Sequence, residues 1–247
     1  MKSAIGIDVG GSGIKGAVVN CSNGKLLTDR IRIATPVPPT PENIGNTIYE
    51  LVQNLNYKGP IGIAFPAVVK NGIVHTAANI DNSFIGINYE EYLTHKLGRP
   101  VRLINDADAA GLAEVKFGAG KDFKGLILLL TIGTGIGSVL VNRGKLILNT
   151  ELGHIFMPHN REAEKYASDA VRKNSNLEWD QWAERLNELL TYLENLFWPD
   201  LFILGGGVSK HTEKFFPRLS IRTPIVAAQL LNNAGIIGAA LAVKKLS

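Results

Sequence analysis

Cysteine occurs once in the 247 residues, at Cys21. One thiol excludes an internal disulfide and any zinc site built from several cysteines. Long apolar runs are missing too: residues 126–130, continuing into Ile132, fall far short of the roughly 20 needed to span a membrane. Lys2 is followed by no apolar h-region ahead of Asp8, so we expect no signal peptide and a cytoplasmic protein. No G-x-x-x-x-G-K-[ST] occurs, which excludes a P-loop NTPase, and there is no G-x-S-x-G elbow. No His/Cys cluster has metal-ligand spacing. Basic residues do not interleave with aromatics, so no nucleic-acid footprint is present. The formal net charge of +4 reads as a solvated basic surface. What remains is a chain with 45% hydrophobic residues, enough for one large or two small domains with an ample core.

The organising stretch is residues 126–141, LILLLTIGTGIGSVLV. A continuous apolar run reads as a strand buried on both faces. It enters a turn containing Gly133, Thr134, Gly135 and Gly137, and a second apolar run leaves it. Glycines there let backbone N–H groups approach an anion such as phosphate, unless the turn is only a tight hairpin at a close-packed spot. The N-terminus repeats the pattern in AIGIDVGGSGIKGAVV, with Asp8 falling on Thr131, Gly10 on Gly133, Gly16 on Gly137 and Val18 on Val139. Asn23-Gly24 and Arg143-Gly144 both lead into Lys-Leu. Two such hairpins suggest a duplicated α/β domain with a ligand held between the halves.

Between and after the hairpins the elements follow from local signals. Residues 4–9, 14–20 and 25–33 predict a three-stranded meander. Residues 34–41, with Pro36, Pro38, Pro39 and Pro41, form an extended connector. Thr40 is placed to cap a helix that has Pro41 at its first position and runs to about residue 54. A short buried strand follows at 61–65, then an Asn71-Gly72 hairpin and a polar ligand loop over 76–87. Asn88 caps a helix stopped by Gly98, and a strand over 101–104 delivers Asn105-Asp106 to its end. Residues 107–117 predict a helix and 118–124 a hinge-like linker. After the charged segment 160–176, residues 177–197 form a long amphipathic helix with Trp182, Leu186, Leu189, Leu193 and Leu196 on one stripe. Strands over 201–204 and 224–228 precede a closing helix of small residues over 232–245, suited to close packing.

Several residues carry chemistry. A carboxylate beside a phosphate cradle is repulsive unless a cation lies between, so Asp8 points to Mg²⁺ held through water; the alternative is a turn aspartate bonding its own backbone. Asp106 lies where open α/β sheets place ligands and reads either as the general base for a sugar hydroxyl or as a helix cap. Asn105 has the amide geometry to read a sugar hydroxyl. Glu151 and His154 can grip adjacent hydroxyls, although a lone histidine is more often structural. Glu164 and Ser168 share a helical face by i, i+4 spacing, the alternative being a solvated face. Lys15 can neutralise phosphate as a point charge, and Gly205, Gly206 and Gly207 after a buried strand admit a base and ribose, or more phosphate. Gly11-x-Gly13-x-x-Gly16 matches the dinucleotide spacing, but strand-like residues 17–20 follow where that fingerprint requires a helix. A nicotinamide oxidoreductase therefore has little behind it.

Asp8-x-Gly10-Gly11-Ser12, Asn105-Asp106, the Gly133-Thr134-Gly135 hairpin and LGGGVS from Leu204 to Ser209 together resemble the sugar kinases of the actin-like ATPase superfamily, over essentially the whole chain. Glu151-x-Gly153-His154 followed by Glu164-x-x-x-Ser168 resembles, within it, the ROK family of repressors and sugar kinases. The resemblance implies an α/β, ribonuclease H-like fold of two duplicated domains around a central cleft, residues 1–118 plus 233–247 and residues 119–232. It implies that Asp106 is the catalytic base and that Asn79, Asn105, Glu151, His154 and Glu164 bind the sugar, with Ala64, Pro66 and Ala67 beside them. Gly10, Gly11, Ser12, Gly13, Gly133, Thr134 and Gly135 would bind phosphate, joined by Lys15, Thr131 and the Gly205, Gly206 and Gly207 segment. The last helix is expected to pack back on the first domain, and the protein to be a homodimer.

Most ROK kinases carry a zinc-binding cysteine cluster after the Glu-x-Gly-His segment. Residues 155–163 hold no cysteine, so no zinc is expected. That departure, with NTELGH (149–154), EAEKYAS (162–168), WPDLF (198–202) and RTPIV (222–226), is similar to the polyphosphate glucokinases. The expectation is a cytoplasmic kinase moving a phosphoryl group from polyphosphate, and from ATP, to the 6-hydroxyl of glucose with Mg²⁺, and touching neither nucleic acid nor membrane. Lys15, Lys121, Lys124, Arg143 and Lys145 could line a path for a long anionic donor, although a solvated basic rim is the cheaper reading of them. An ATP-only kinase for glucose, mannose or fructose is the alternative. A sugar-responsive regulator is more remote, because Asp8 leaves no room for a preceding helix-turn-helix.

Overall fold

The computed structural model describes residues 2–77 and 80–243. It divides into two units, Met1–Ala113 with Asn233–Ser247, and Glu114–Asn232. In the first, β1 (Ser3–Gly10) and β2 (Gly13–Asn20) form an antiparallel hairpin around Gly11-Ser12, and β3 (Ile31–Ile33) adds to β2. This third strand is shorter than its sequence predicts. Leu26 makes only an isolated bridge to Val19, and the Thr28 hydroxyl accepts the Val18 N–H at 3.1 Å in place of a ladder partner. The chain rejoins the sheet at Ile31.

Local signals govern the next elements. α1 (Pro41–Asn54) begins with the Thr40 hydroxyl accepting the Asn43 N–H at 3.3 Å. β4 (Ile61–Phe65) is wholly buried, and β5 (Val69–Lys70) pairs with β6 (Ile73–Val74) around Asn71-Gly72. α2 (Tyr89–Leu97) is capped by Asn88 and ends at Gly98, whose φ of 62° suits glycine. β7 (Val101–Asn105) runs directly into α3 (Asp106–Phe117). The strand order is β3-β2-β1-β4-β7, with β4 parallel to both β1 and β7. Gly10, Phe65 and Asn105 therefore finish at the same end of the sheet, where ligands of open α/β sheets sit.

The second unit repeats this plan. β8 (Leu126–Ile132), β9 (Ile136–Asn142) and β10 (Lys145–Ile147) form the meander. A small hairpin follows, β11 (Phe156–Met157) with β12 (Arg161–Glu162), then α4 (Ala163–Ala167), α5 (Asp169–Asn174) and α6 (Trp179–Phe197). β13 (Leu201–Gly206) and β14 (Ile225–Ala227) complete the order β10-β9-β8-β13-β14, with β13 parallel to both neighbours. The two hairpins differ in their turns. Gly10 pairs with Gly13 across two residues, whereas Ile132 pairs with Ile136 across three. Asp8 consequently opposes Lys15, and Thr131 opposes Gly137. On α6, Trp182, Leu186, Leu189 and Leu193 are buried as their spacing predicts, but Leu196 is 55% exposed because the last turn runs past the core.

α7 (Ala234–Ala242) closes the first unit against β1 and β4. Gly6 and Gly62 are paired in register on those strands. A Cβ on either would collide with the α7 backbone, at Ile236 and Ala239 respectively. Gly238 of α7 in turn meets the Ala109 backbone. Helix and sheet thus touch main chain to main chain, which only glycine permits. The expected helix over 232–245 reaches beyond the described residues at its end. Among the described residues no helix is long and apolar enough to cross a membrane.

Candidate active site

The first unit gathers Asp8, the Gly11-Ser12 turn, Pro66 and Asp106 at the ends of β1, β4 and β7. Asp8 stands opposite Lys15, its Oδ2 3.9 Å from the ammonium. A Cβ on Gly235 would lie 2.9 Å from the Asp8 carboxyl carbon, so the first turn of α7 leans on this group. Burial pushes the Asp8 carboxyl above its ordinary range, against the pull of Lys15 and Arg30. Such a carboxylate gains from a further cation. No group of three or more His, Cys, Asp or Glu side chains able to hold a metal ion occurs among the described residues. A lone carboxylate suits Mg²⁺, whose remaining ligands are commonly waters and donor phosphates.

A cation that sequence reasoning missed lies on the same turn. Arg32 is paired with Lys15, and its Nη2 donates to the Ser12 carbonyl at 2.6 Å. Its guanidinium passes so close over Gly13 that a Cβ there would sit 2.7 Å from Nε. Asp8, Lys15 and Arg32 therefore form one row across three strands. Only the register of β3 reveals it. Arg32→Ala is expected to raise KM for the phosphoryl donor about fivefold and leave KM for the acceptor unchanged, as steady-state kinetics would show.

At the end of β7, Asn105 caps α3: its Oδ1 accepts the Asp108 N–H at 3.0 Å, and its amide donates to the Ala67 carbonyl at 3.1 Å. The capping duty considered for Asp106 thus falls one residue earlier. Asp106 is half-buried in the first turn of α3, with Oδ1 accepting the Ala107 N–H at 2.8 Å. Ala64 is wholly buried and Ala67 is 4% exposed, so Pro66 is what this segment presents. Asn79 lies outside the described residues.

In the second unit the Gly133 N–H donates to the Gly135 carbonyl at 2.9 Å, closing the turn. Gly205 and Gly206 lie in parallel register with Thr131 and Ile132. Gly206 has φ 80°, and a Cβ there would collide with the Ile132 backbone. Gly207, exposed, opens a 3₁₀ turn. The two glycine segments are therefore side by side. Glu164 braces the hairpin, its Oε2 accepting the Ile136 N–H at 2.9 Å across Gly135, where any Cβ would strike the carboxylate. Glu164 and Ser168 do not share a helical face. α4 ends at Ala167, Ser168 is extended at ψ 159°, and it caps α5 through the Val171 N–H at 3.3 Å. Ser168 is 1% exposed, so the solvated-face alternative fails for it.

Glu151 precedes a 3₁₀ turn that His154 ends, with His154 Nε2 3.9 Å from Glu151 Oε2. The other ring nitrogen, Nδ1, is 2.8 Å from Glu162 Oε1, and Lys165 holds Glu162 Oε2 at 2.6 Å. Burial raises the Glu151 carboxyl. The Glu162 hydrogen bond raises His154 despite partial desolvation, with Glu164 and Glu151 adding to the rise. Acceptors and a donor alternate here, an arrangement suited to vicinal hydroxyls. A cavity of about 540 Å³ lined by Val115, Gly120, Phe123, Lys124 and Arg143 opens elsewhere. It lies by the Leu126–Asn142 end of the β8–β9 hairpin, roughly 20 Å from the glycine turn by strand rise. Lys124, Arg143 and Lys145 therefore do not border that turn.

The model of the ROK family matches residues 4–171. A polyphosphate glucokinase of Mycobacterium tuberculosis is 48% identical over 242 residues, 98% of this chain and 91% of that protein. The crystal structure of the inorganic polyphosphate/ATP-glucomannokinase from Arthrobacter sp. strain KM is similar with a TM-score of 0.94 at 45% identity, over 98% of either chain. A ROK family glucokinase from Streptomyces griseus, in complex with glucose and AMPPNP, matches with a TM-score of 0.80 at 27% identity, over 96% of this chain and 98% of that one. The doubled strand order is that of the actin-like ATPase fold, and the chain belongs to the ROK family.

Proposed function

We propose that this chain is a polyphosphate glucokinase, transferring the terminal phosphoryl group of inorganic polyphosphate, and of ATP, to the 6-hydroxyl of glucose. The observation that carries this reading is the end of β7, where Asn105 takes the cap and Asp106 stands in the first turn of α3. Asp106 accepts the 6-hydroxyl proton as that oxygen attacks phosphorus, and the P–O bond to the rest of the donor breaks. Glucose 6-phosphate leaves with the shortened polyphosphate or ADP. The amides of the two glycine turns, Lys15 and Arg32 meet the negative charge of the donor. Held by Asp8, Mg²⁺ would neutralise phosphate oxygens. Glu151, His154 and Glu164 select the hexose. The likeness to polyphosphate glucokinases over nearly the whole chain supports the choice of donor. The same reading makes the enzyme cytoplasmic and homodimeric.

The test is direct. Purified protein given glucose and either donor should yield glucose 6-phosphate from polyphosphate and from ATP. Product from ATP alone would replace this reading with an ATP-dependent hexokinase.

A further inference from the structure

The row of side chains behind His154 assigns a role to two residues that the reaction scheme does not use. We propose that Glu162, itself held by Lys165, is a positioning residue that fixes the His154 ring with Nδ1–H donated to its carboxylate, so that Nε2 is presented to the hexose. The inference rests on the reading of His154 as a hexose ligand and deepens it.

The geometry is over-determined. Glu162 ends β12, whose pairing with Phe156 of β11 is antiparallel and fixes its position two residues beyond His154's own 3₁₀ turn. The turn between those strands passes through His159 and Asn160 at φ 65° and 56°, which brings the strand back toward His154. One Glu162 oxygen then meets Nδ1 at 2.8 Å and the other meets Lys165 Nζ at 2.6 Å. Both carboxylate oxygens are thus engaged, and the ring cannot flip without losing a charge-assisted bond. A histidine whose one nitrogen is held by a carboxylate has its tautomer set, as with histidine ligands oriented from behind. Nε2 is left facing Glu151 at 3.9 Å, a separation that admits a hydroxyl lying beside both.

The charges around the ring decide its behaviour with pH. Glu162 faces Nδ1 from β12, Glu151 lies across Nε2, and Glu164 of α4 adds its field, while Lys165 of the same helix neutralises Glu162. The ring therefore holds its proton above the ordinary histidine range, chiefly through the Glu162 bond. Below that raised value Nε2 carries hydrogen and donates to a hydroxyl, with Glu151 accepting from it. As pH rises through it, Nε2 turns acceptor and the grip weakens, so KM for glucose climbs on the basic side.

The experiment combines kinetics with nitrogen-15 NMR of histidine-labelled protein. In the unaltered enzyme above the His154 pKa, the ring should be the Nδ1–H tautomer; an Nε2–H tautomer would overturn the proposal without recourse to any variant. Glu162→Gln should raise KM for glucose about tenfold with kcat changed less than about twofold, and should shift both the His154 titration and the basic limb of the KM profile to lower pH. Wild-type titration and wild-type KM in Glu162→Gln would also refute it. His154→Gln separates the two readings. If that variant keeps its KM for glucose, the hexose-ligand reading itself fails. If it loses affinity while Glu162→Gln does not, the positioning role alone fails.

Discussion

Asp106→Ala should lower kcat by about 10³-fold while changing KM for glucose less than about twofold. The expectation follows from what the carboxylate does in the proposed reaction and from what its neighbour does in the fold. A general base acts only as the hydroxyl attacks, so its loss falls on the transition state. Asn105 caps α3 and ties β7 to the Ala67 carbonyl, so the helix keeps its cap when the Asp106 side chain, which accepts the Ala107 N–H, is removed. Asp106→Asn keeps the size and that bond and should be nearly as inactive. Calorimetric glucose binding together with turnover on either donor checks this. A kcat within tenfold of wild type would remove Asp106 as the base.

The second expectation concerns stability. Gly62→Ala should destabilise the fold by about 3 kcal/mol, read as a lowered denaturation midpoint. The added methyl has no room, because the obstacle is the Ala239 main chain of α7 rather than a flexible side chain. Relief requires α7 to lift from the sheet, and Gly6 is bound by the same constraint one strand away. Gly11→Ala is the control. Nothing lies within 4 Å of a Cβ at Gly11, so its midpoint should match wild type. Equal midpoints for Gly62→Ala and Gly11→Ala would show that the helix adjusts freely.

These cases mark where sequence sufficed. Thr40, Asn88 with Gly98, and Asn71-Gly72 act through their own neighbours a few residues away, and each does what its chemistry predicts. The doubled hairpin was legible because buried strands and glycine turns leave a strong pattern. Features that depend on distant partners were not. Thr28 withdraws its segment from the ladder through a side-chain bond that no periodicity shows. Ser168 looks like a continuation of α4 by spacing, yet its backbone is extended and its buried hydroxyl caps the next helix. Arg32 needs the β3 register, and Glu162 needs the fold-back of β12 on β11, before either can be placed beside its turn or its ring. Asn105 and Asp106 differ by one position, and helix-start signals do not separate adjacent residues that finely.

The seating of α7 on Gly6 and Gly62 has a consequence for how the molecule is made. β1 and β4 leave the ribosome long before the helix that covers them, which begins at Ala234. At about 5–20 residues per second, the sheet face waits on the order of ten seconds or more for its cover. During synthesis that apolar face is the nascent chain's exposed hazard, and α7 supplies the step that ends it.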